Sequence, residues 1–223
     1  MDFVQASDFF ESLKSDERVF LLIRHAERGH ITPDDPDLGA HVGLTDKGRM
    51  QALSLGESIP AEGDMCFYSS PVGRCMETAR CIAEGRALND ALVEPLDCLG
   101  DFFVQNDEEA MKVMRNGFYE GLCAWLDSEM AGKPRSGDEA FYPLSDRAEE
   151  MLSMMLEKGN ARFNVFATHD AWVVPCLVHF CKMHFTPSCW MNYLTGMAVV
   201  TDAQKKVHRI VPVTGIDTGW LKF

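Results

Sequence analysis

The sequence predicts an α/β fold in three layers, with a mostly parallel central sheet between two layers of helices. Three observations point that way. Residues 19–23 and 163–167 are short apolar runs that suit strands buried on both faces, and each ends abruptly in polar residues. Residues 72–83 carry Val72, Cys75, Met76, Ala79, Ile82 and Ala83 at helical spacing, so one face of that helix packs on a sheet. Strands and amphipathic helices alternate along the chain, which is the pattern of βα units.

The elements follow in order. Residues 3–15 suit a short amphipathic helix before the first strand. After that strand, residues 29–43 are rich in Asp, Pro and Gly and read as a loop. Thr45 can cap a helix striped by Ala52, Leu53, Gly56 and Ile59 and ended by Pro60. Residues 65–68 form a second strand, and Ser69-Ser70-Pro71 offers a cap with proline at the first helical position. Residues 92–96 make a shorter strand. Between 107 and 130 the apolar positions keep helical spacing, with Gly117 and Gly121 expected to split the segment. This stretch, about 101–137, is expected as a helical cap inserted in a single domain, 1–223, and 132–137 as a linker-like turn. Ala148, Met151, Leu152 and Met155 mark another sheet-packing helix, and a helix is expected from 170 to about 182. Residues 194–201 and 207–213 read as a closing hairpin.

Composition bounds the partners. With 223 residues and 46% hydrophobic content, the chain can bury a full core. A formal net charge of −13 repels nucleic acid and anionic membrane, so an anionic ligand needs a local cationic site. The eight cysteines follow no CxxC or framework spacing and are expected reduced and mostly buried. The first 18 residues lack the basic start and apolar segment of a signal peptide, and no apolar run approaches membrane length. A cytoplasmic location, no nucleic-acid or membrane partner, and an open oligomeric state are the expectations.

Charge gathers where strands end. Arg24, His25 and Arg28 follow the first buried run, Arg74 lies within the first turn or so of the helix after the second strand, and His169 and Asp170 follow the run 163–167. In an open α/β sheet the carboxyl ends of the strands are where ligands bind. Two or three arginines suit a phosphate dianion, a helix start adds amide donors, and neighbouring cations keep a histidine neutral and nucleophilic. For an isolated Arg-His the bland reading, a solvated or core histidine, would prevail; three coincident strand ends reverse it.

At this point the chain resembles the histidine phosphatase superfamily, the phosphoglycerate mutase and histidine acid phosphatase clan. The matching text is Arg24-His25-Ala26-Glu27-Arg28, Leu44-Thr45-Asp46-Lys47-Gly48, Ser69-Ser70-Pro71 with Arg74 and Thr78-Ala79, and Thr168-His169-Asp170, in the family's order. The resemblance implies a phosphoglycerate mutase-like fold. It also implies that His25 attacks phosphorus while Arg24, Arg28, Arg74 and His169 hold the phosphoryl oxygens, with no metal and no cofactor. The implied activity is a metal-independent phosphomonoester hydrolase on a small phosphorylated substrate; a mutase-type phosphotransferase and a non-catalytic phosphate or phosphoprotein binder are the alternatives.

Two departures stand out. Ala26 occupies the place usual for glycine, and the proton donor is open. The mutase-like branch points to Asp101, or less directly Glu94; the acid phosphatase branch, which Arg28 also resembles, points to Asp170 and makes it the first choice. Asp170 could equally be a helix cap and Asp101 a turn residue. Metal binding by His179, His184, Cys176 and Cys181 is disfavoured by their spacing. His30 and His41 read as solvated loop residues, and Trp172 with Phe102 and Phe103 as core or pocket wall.

Overall fold

The computed structural model describes residues 2–223 apart from positions 33, 34, 36, 38, 136 and 138. Four of these lie in the loop expected at 29–43 and position 136 in the turn expected at 132–137, so those parts of the two expectations lie outside the described residues.

A seven-stranded sheet carries the fold: β1 (Val4–Gln5), β2 (Arg18–Arg24), β3 (Met65–Ser69), β4 (Val93–Pro95), β5 (Phe163–Thr168), β7 (Thr195–Thr201) and β8 (Val207–Thr214). Its order is β1-β8-β7-β2-β5-β3-β4. Strands β2, β5, β3 and β4 are mutually parallel, and β7 alone runs against its neighbours on both sides. The expected hairpin is β7 with β8. A separate ribbon pairs β6 (Cys189–Met191) with β9 (Trp220–Lys222).

Helices cover both faces. On one side lie α1 (Ala6–Glu11), α2 (Asp46–Ser58) and α3 (Gly73–Gly85); on the other lie α4 (Cys98–Asp101), α5 (Asp107–Asn116), α6 (Phe118–Met130), α7 (Leu144–Lys158) and α8 (Asp170–Cys181). The alternation of β2 shows why the sheet must be sandwiched. Phe20 and Leu22 enter one apolar cluster, with α7 and α8, whereas Val19, Leu21 and Ile23 enter the other, with α2 and α3. Successive side chains point to opposite faces, so a strand apolar at every position needs a layer on each.

Several local expectations are corrected by long-range contacts. Residues 3–15 are not one helix: Val4 and Gln5 pair with Val213 and Thr214, and these sheet hydrogen bonds claim the start of the segment. Helix α3 starts at Gly73 with Val72 in the cap position and no side-chain cap, because the Ser70 amide donates to the Ala167 carbonyl at 2.9 Å and prolongs the sheet contact. Gly117, at φ 133°, does separate α5 from α6. Gly121 does not break α6; a Cβ there would stand 2.5 Å from Val113 Cγ1, so its smallness serves close helix packing. Thr45 caps α2 as expected, its hydroxyl accepting from the Gly48 amide at 3.0 Å, a contact worth about 1 kcal/mol. Of the eight cysteines, none is in a disulfide; five are buried, Cys66 and Cys189 are half-buried, and Cys98 is exposed.

Candidate active site

Three adjacent parallel strands, β2, β5 and β3, end at one place. The His25 amide donates to the Thr168 carbonyl at 2.8 Å, so the ladder carries on one residue past β2 and fixes where the imidazole leaves the sheet. The Ala26 amide donates to Thr78 Oγ1 at 2.9 Å, and that hydroxyl donates to the Arg74 carbonyl at 2.7 Å. One threonine on α3 thus ties the peptide after His25 to the backbone that carries Arg74.

His25 is only 2% exposed. Its Nδ1–H donates to the Ala26 carbonyl at 2.8 Å, which selects the tautomer with a lone pair on Nε2. That lone pair faces Arg74, whose Nε–H donates to it at 3.2 Å. The other arms of Arg74 reach the Gly39 carbonyl at 2.7 Å and His169 Nδ1 at 3.5 Å. His169 in turn lies 3.2 Å from Ser70 Oγ through Nε2, and its ring meets that of His25 edge-on with centroids 5.6 Å apart. Burial first, then the charges of Arg24 and Arg74 and the neighbouring His169 ring, which disfavours a second imidazolium, hold His25 well below the ordinary imidazole value. Burial and Arg74 likewise push His169 down to about 3. Both rings are neutral at pH 7.

Arg24 is also 2% exposed and is held from three directions. Nη2 pairs with Asp170 Oδ2 at 3.1 Å, Nη1 donates to the Met191 carbonyl at 2.6 Å, and the guanidinium lies 4.2 Å from the centre of the Tyr193 ring. Its Nε–H is buried without a hydrogen-bond partner among the described residues. Arg28 is half-buried, donates to the Gly29 carbonyl at 2.8 Å, and its charge is felt at Arg74, His169 and Asp170. The three arginines and two histidines expected from the sequence therefore converge.

Asp170 converges too, in an unexpected capacity. It is the first residue of α8 rather than its cap, and among the described residues its Oδ1 accepts only from the adjoining Ala171 amide. Oδ2 accepts from Trp190 Nε1 at 2.9 Å besides pairing with Arg24. Burial alone would raise its pKa, but Arg24 and the Trp190 hydrogen bond outweigh that and hold it below the usual carboxylate range. A carboxylate so held is an anchor for Arg24 rather than a reservoir of protons.

The remaining candidates separate. Asp101 ends α4, exposed, with no side-chain partner among the described residues. The preceding Gly100 borders the site, since a Cβ there would lie 3.9 Å from Ser70 Oγ. Glu94 is diverted into a salt bridge with Lys158 at 2.9 Å. Trp172, Phe102 and Phe103 are core: Trp172 stacks on Phe103, and its indole N–H donates to the Gly100 carbonyl. His30 is exposed, His41 pairs with Asp37, His179 pairs with Glu149, and His184 is exposed. Among the described residues, no three His, Cys, Asp or Glu side chains gather as a metal site. No described helix is long and apolar enough to cross a membrane.

Sequence reasoning missed Trp190, Tyr193 and Tyr119. The Tyr193 ring is 5.8 Å from that of His25, and Tyr119 of α6 meets Trp190 at 5.1 Å. No periodicity or motif surrounds them; only the abundance of aromatics flanking β6 hinted at a buried ribbon.

A mostly parallel sheet in this order, with histidines and arginines at the carboxyl ends of its parallel strands, defines a phosphoglycerate mutase-like α/β protein. The model of the histidine phosphatase superfamily (branch 1) matches residues 20–205, and the chain belongs to that superfamily. Among solved structures it is similar to Bacillus stearothermophilus YhfR (19% identity, 91% of this chain and 98% of that one, TM-score 0.53). It is also similar to phosphoglycerate mutase from Bacillus anthracis (14% identity, 90% and 94%, TM-score 0.51). A third is phosphoserine phosphatase from Entamoeba histolytica, solved with 3-phosphoglyceric acid (18% identity, 89% and 98%, TM-score 0.50). At such identities the likeness is one of fold. No curated protein matches the chain.

Proposed function

We propose that the chain is a metal-independent phosphomonoester hydrolase that works through a phosphohistidine at His25. The observation that carries this reading is the tautomer: Nδ1–H is spent on the Ala26 carbonyl, so Nε2 presents its lone pair within a ring of arginine donors. A phosphate dianion arriving there takes up the donors of Arg74, the free Nε–H of Arg24 and the Arg28 guanidinium, which releases His25 Nε2 for attack. The N–P bond forms as the ester P–O bond breaks, and the arginines with His169 stabilise charge on the transferring group. The leaving oxygen takes a proton from an acid. Because Asp170 is engaged as the anchor of Arg24, we assign that role to Asp101 at the rim. Water then attacks phosphorus and gives its proton to the Asp101 carboxylate, the N–P bond breaks, and phosphate, free His25 and the protonated acid are regenerated.

His169 is half-buried, so water can approach the phosphorylated neighbour, which supports hydrolysis over a mutase-type return of the phosphoryl group. The α5–α6 segment would then be a cap that chooses a small phosphorylated substrate. The cytoplasmic placement rests on the sequence alone. Labelled phosphate should be trapped on the wild-type chain by rapid quenching without acid and be absent from His25→Ala; equal labelling of both would overturn the assignment.

A further inference from the structure

We propose that Ser70 is a positioning residue that allows His169 to exchange tautomers, from Nε2–H in the empty site to Nδ1–H once a phosphoryl group binds, with the ring neutral in both. This rests on the reading of the phosphate site given above. The empty-site tautomer follows from Arg74. A guanidinium carries donors only, so where Arg74 Nη2 meets His169 Nδ1 at 3.5 Å the ring nitrogen accepts. His169 is neutral, with its pKa pushed down to about 3, so its single N–H is on Nε2. Two side chains face that nitrogen: Ser70 Oγ at 3.2 Å and Cys75 Sγ at 3.7 Å. The hydroxyl is the closer and the stronger acceptor, and both residues are fully buried.

A bound phosphoryl group reverses the demand on the ring. The arms of Arg74 that hold the Gly39 carbonyl and the two imidazoles turn to the anion, and an oxygen that only accepts takes their place before Nδ1. Nδ1 must then carry a proton. Charging the ring would add a cation to the setting of burial, Arg74, Arg24 and Arg28 that already outweighs Asp170 and keeps His169 neutral. Exchange adds no charge: one proton leaves Nε2 for water, one arrives at Nδ1 from water, and none is taken up overall. It requires only that the group at Nε2 turn from acceptor to donor, which a hydroxyl does by rotating about its C–O bond.

The two histidines are held by opposite kinds of partner. His25 Nδ1–H is fixed by the Ala26 carbonyl at 2.8 Å, and a carbonyl only accepts, so the nucleophile keeps one tautomer throughout. Ser70 can serve His169 in either. Its backbone is pinned, because the Ser70 amide donates to the Ala167 carbonyl at 2.9 Å, and its Oγ accepts from the Val72 amide at 3.4 Å. The oxygen is thereby held in place while the hydroxyl hydrogen is left to turn.

Long-range proton–nitrogen spectra of the histidine-labelled chain read the tautomers directly, with inorganic phosphate as the probe and His169→Asn to assign the signal. Empty wild type should show His169 as Nε2–H, and saturating phosphate should convert it to Nδ1–H while His25 stays Nδ1–H. Ser70→Ala should leave that conversion incomplete and weaken phosphate binding about fivefold, the worth of one net hydrogen bond. Ser70→Thr, which keeps the hydroxyl, should restore both, and Cys75→Ala should alter neither. Full conversion at wild-type affinity in Ser70→Ala overturns the proposal. So, whether or not any variant folds, does an empty wild type with His169 as Nδ1–H, or phosphate that shifts the His25 signal and leaves His169 as Nε2–H or turns it into imidazolium. Those results leave the phosphate site standing; phosphate that shifts neither histidine overturns that reading and this proposal with it.

Discussion

Replacing Asp170 by asparagine separates its two possible roles. In the native chain its side chain and that of Arg24 are 11% and 3% exposed and form a 3.1 Å ion pair. Removing one member of a buried pair typically costs about 3–5 kcal/mol, because the other charge is left uncompensated. Asparagine still offers an oxygen to Trp190 Nε1, and the Met191 carbonyl and Tyr193 ring still hold Arg24, so about 2–4 kcal/mol is expected. For a chain of this size each kcal/mol moves the melting temperature by about 2–4 °C, which gives a fall of roughly 5–15 °C in a thermal scan. With Arg24 loosened, turnover of nitrophenyl phosphate and of an alkyl phosphate should drop together. A general acid behaves otherwise: its loss spares the aryl ester, whose leaving group needs little protonation, and costs the alkyl ester about 10²- to 10⁴-fold. An Asp170→Asn variant of native stability that loses only alkyl turnover would refute the anchor and return the proton to Asp170, whereas Asp101→Asn is expected to show that selective loss.

Further outcomes are expected. Thr78→Val removes the acceptor of the buried Ala26 amide and should destabilise by about 1–3 kcal/mol in urea unfolding, with kcat lowered more than the binding of phosphate, since the cations remain while the nucleophile shifts. Stability should fall as pH drops below about 6.5: unfolded histidines take up protons there, while folded His25 and His169 stay neutral, His169 down to about 3. The slope is up to ~1.4 kcal/mol per pH unit for each, read by denaturant unfolding at pH 7.5, 6 and 5, and it should flatten in His169→Asn. The lowered pKa of Asp170 adds its own stability above about pH 3.8, lost only below that. Activity should survive EDTA and be blocked by vanadate, because arginines supply the charge stabilisation; activity lost in EDTA and restored by a divalent ion would contradict this.

Residues close together in sequence were the legible ones. Arg24, His25 and Arg28, or His169 and Asp170, sit at strand ends because an apolar run breaks beside them, and the period of α3 reports which face meets the sheet. The partners of those residues were not legible. Asp170 reads as a cap in isolation and becomes an anchor only because Trp190, far along the chain, brings an indole N–H to it. Tyr193 belongs to the site through its contacts with the His25 ring and the Arg24 guanidinium, which no local pattern encodes. The short strands β1, β6 and β9 escaped for the same reason: two or three residues carry no periodicity, and only the strand they pair with makes them strands.

Glu27 shows how little of this site would travel with its best-known letters. The Thr45 amide donates to its carbonyl at 3.0 Å, the Thr45 hydroxyl to its Oε1 at 2.9 Å, and Lys47 Nζ to its Oε2 at 2.7 Å. A Cβ on Gly48 would sit 2.1 Å from that same carbonyl, so α2 must present bare backbone there. The five residues from Arg24 to Arg28 are thus a ribbon clamped by the start of a helix, through backbone and cap rather than through the histidine and arginine cluster itself. Transplanted to another parallel strand they would bring their charges and leave their shape behind; a working graft would have to carry the start of α2 and Thr78 with it.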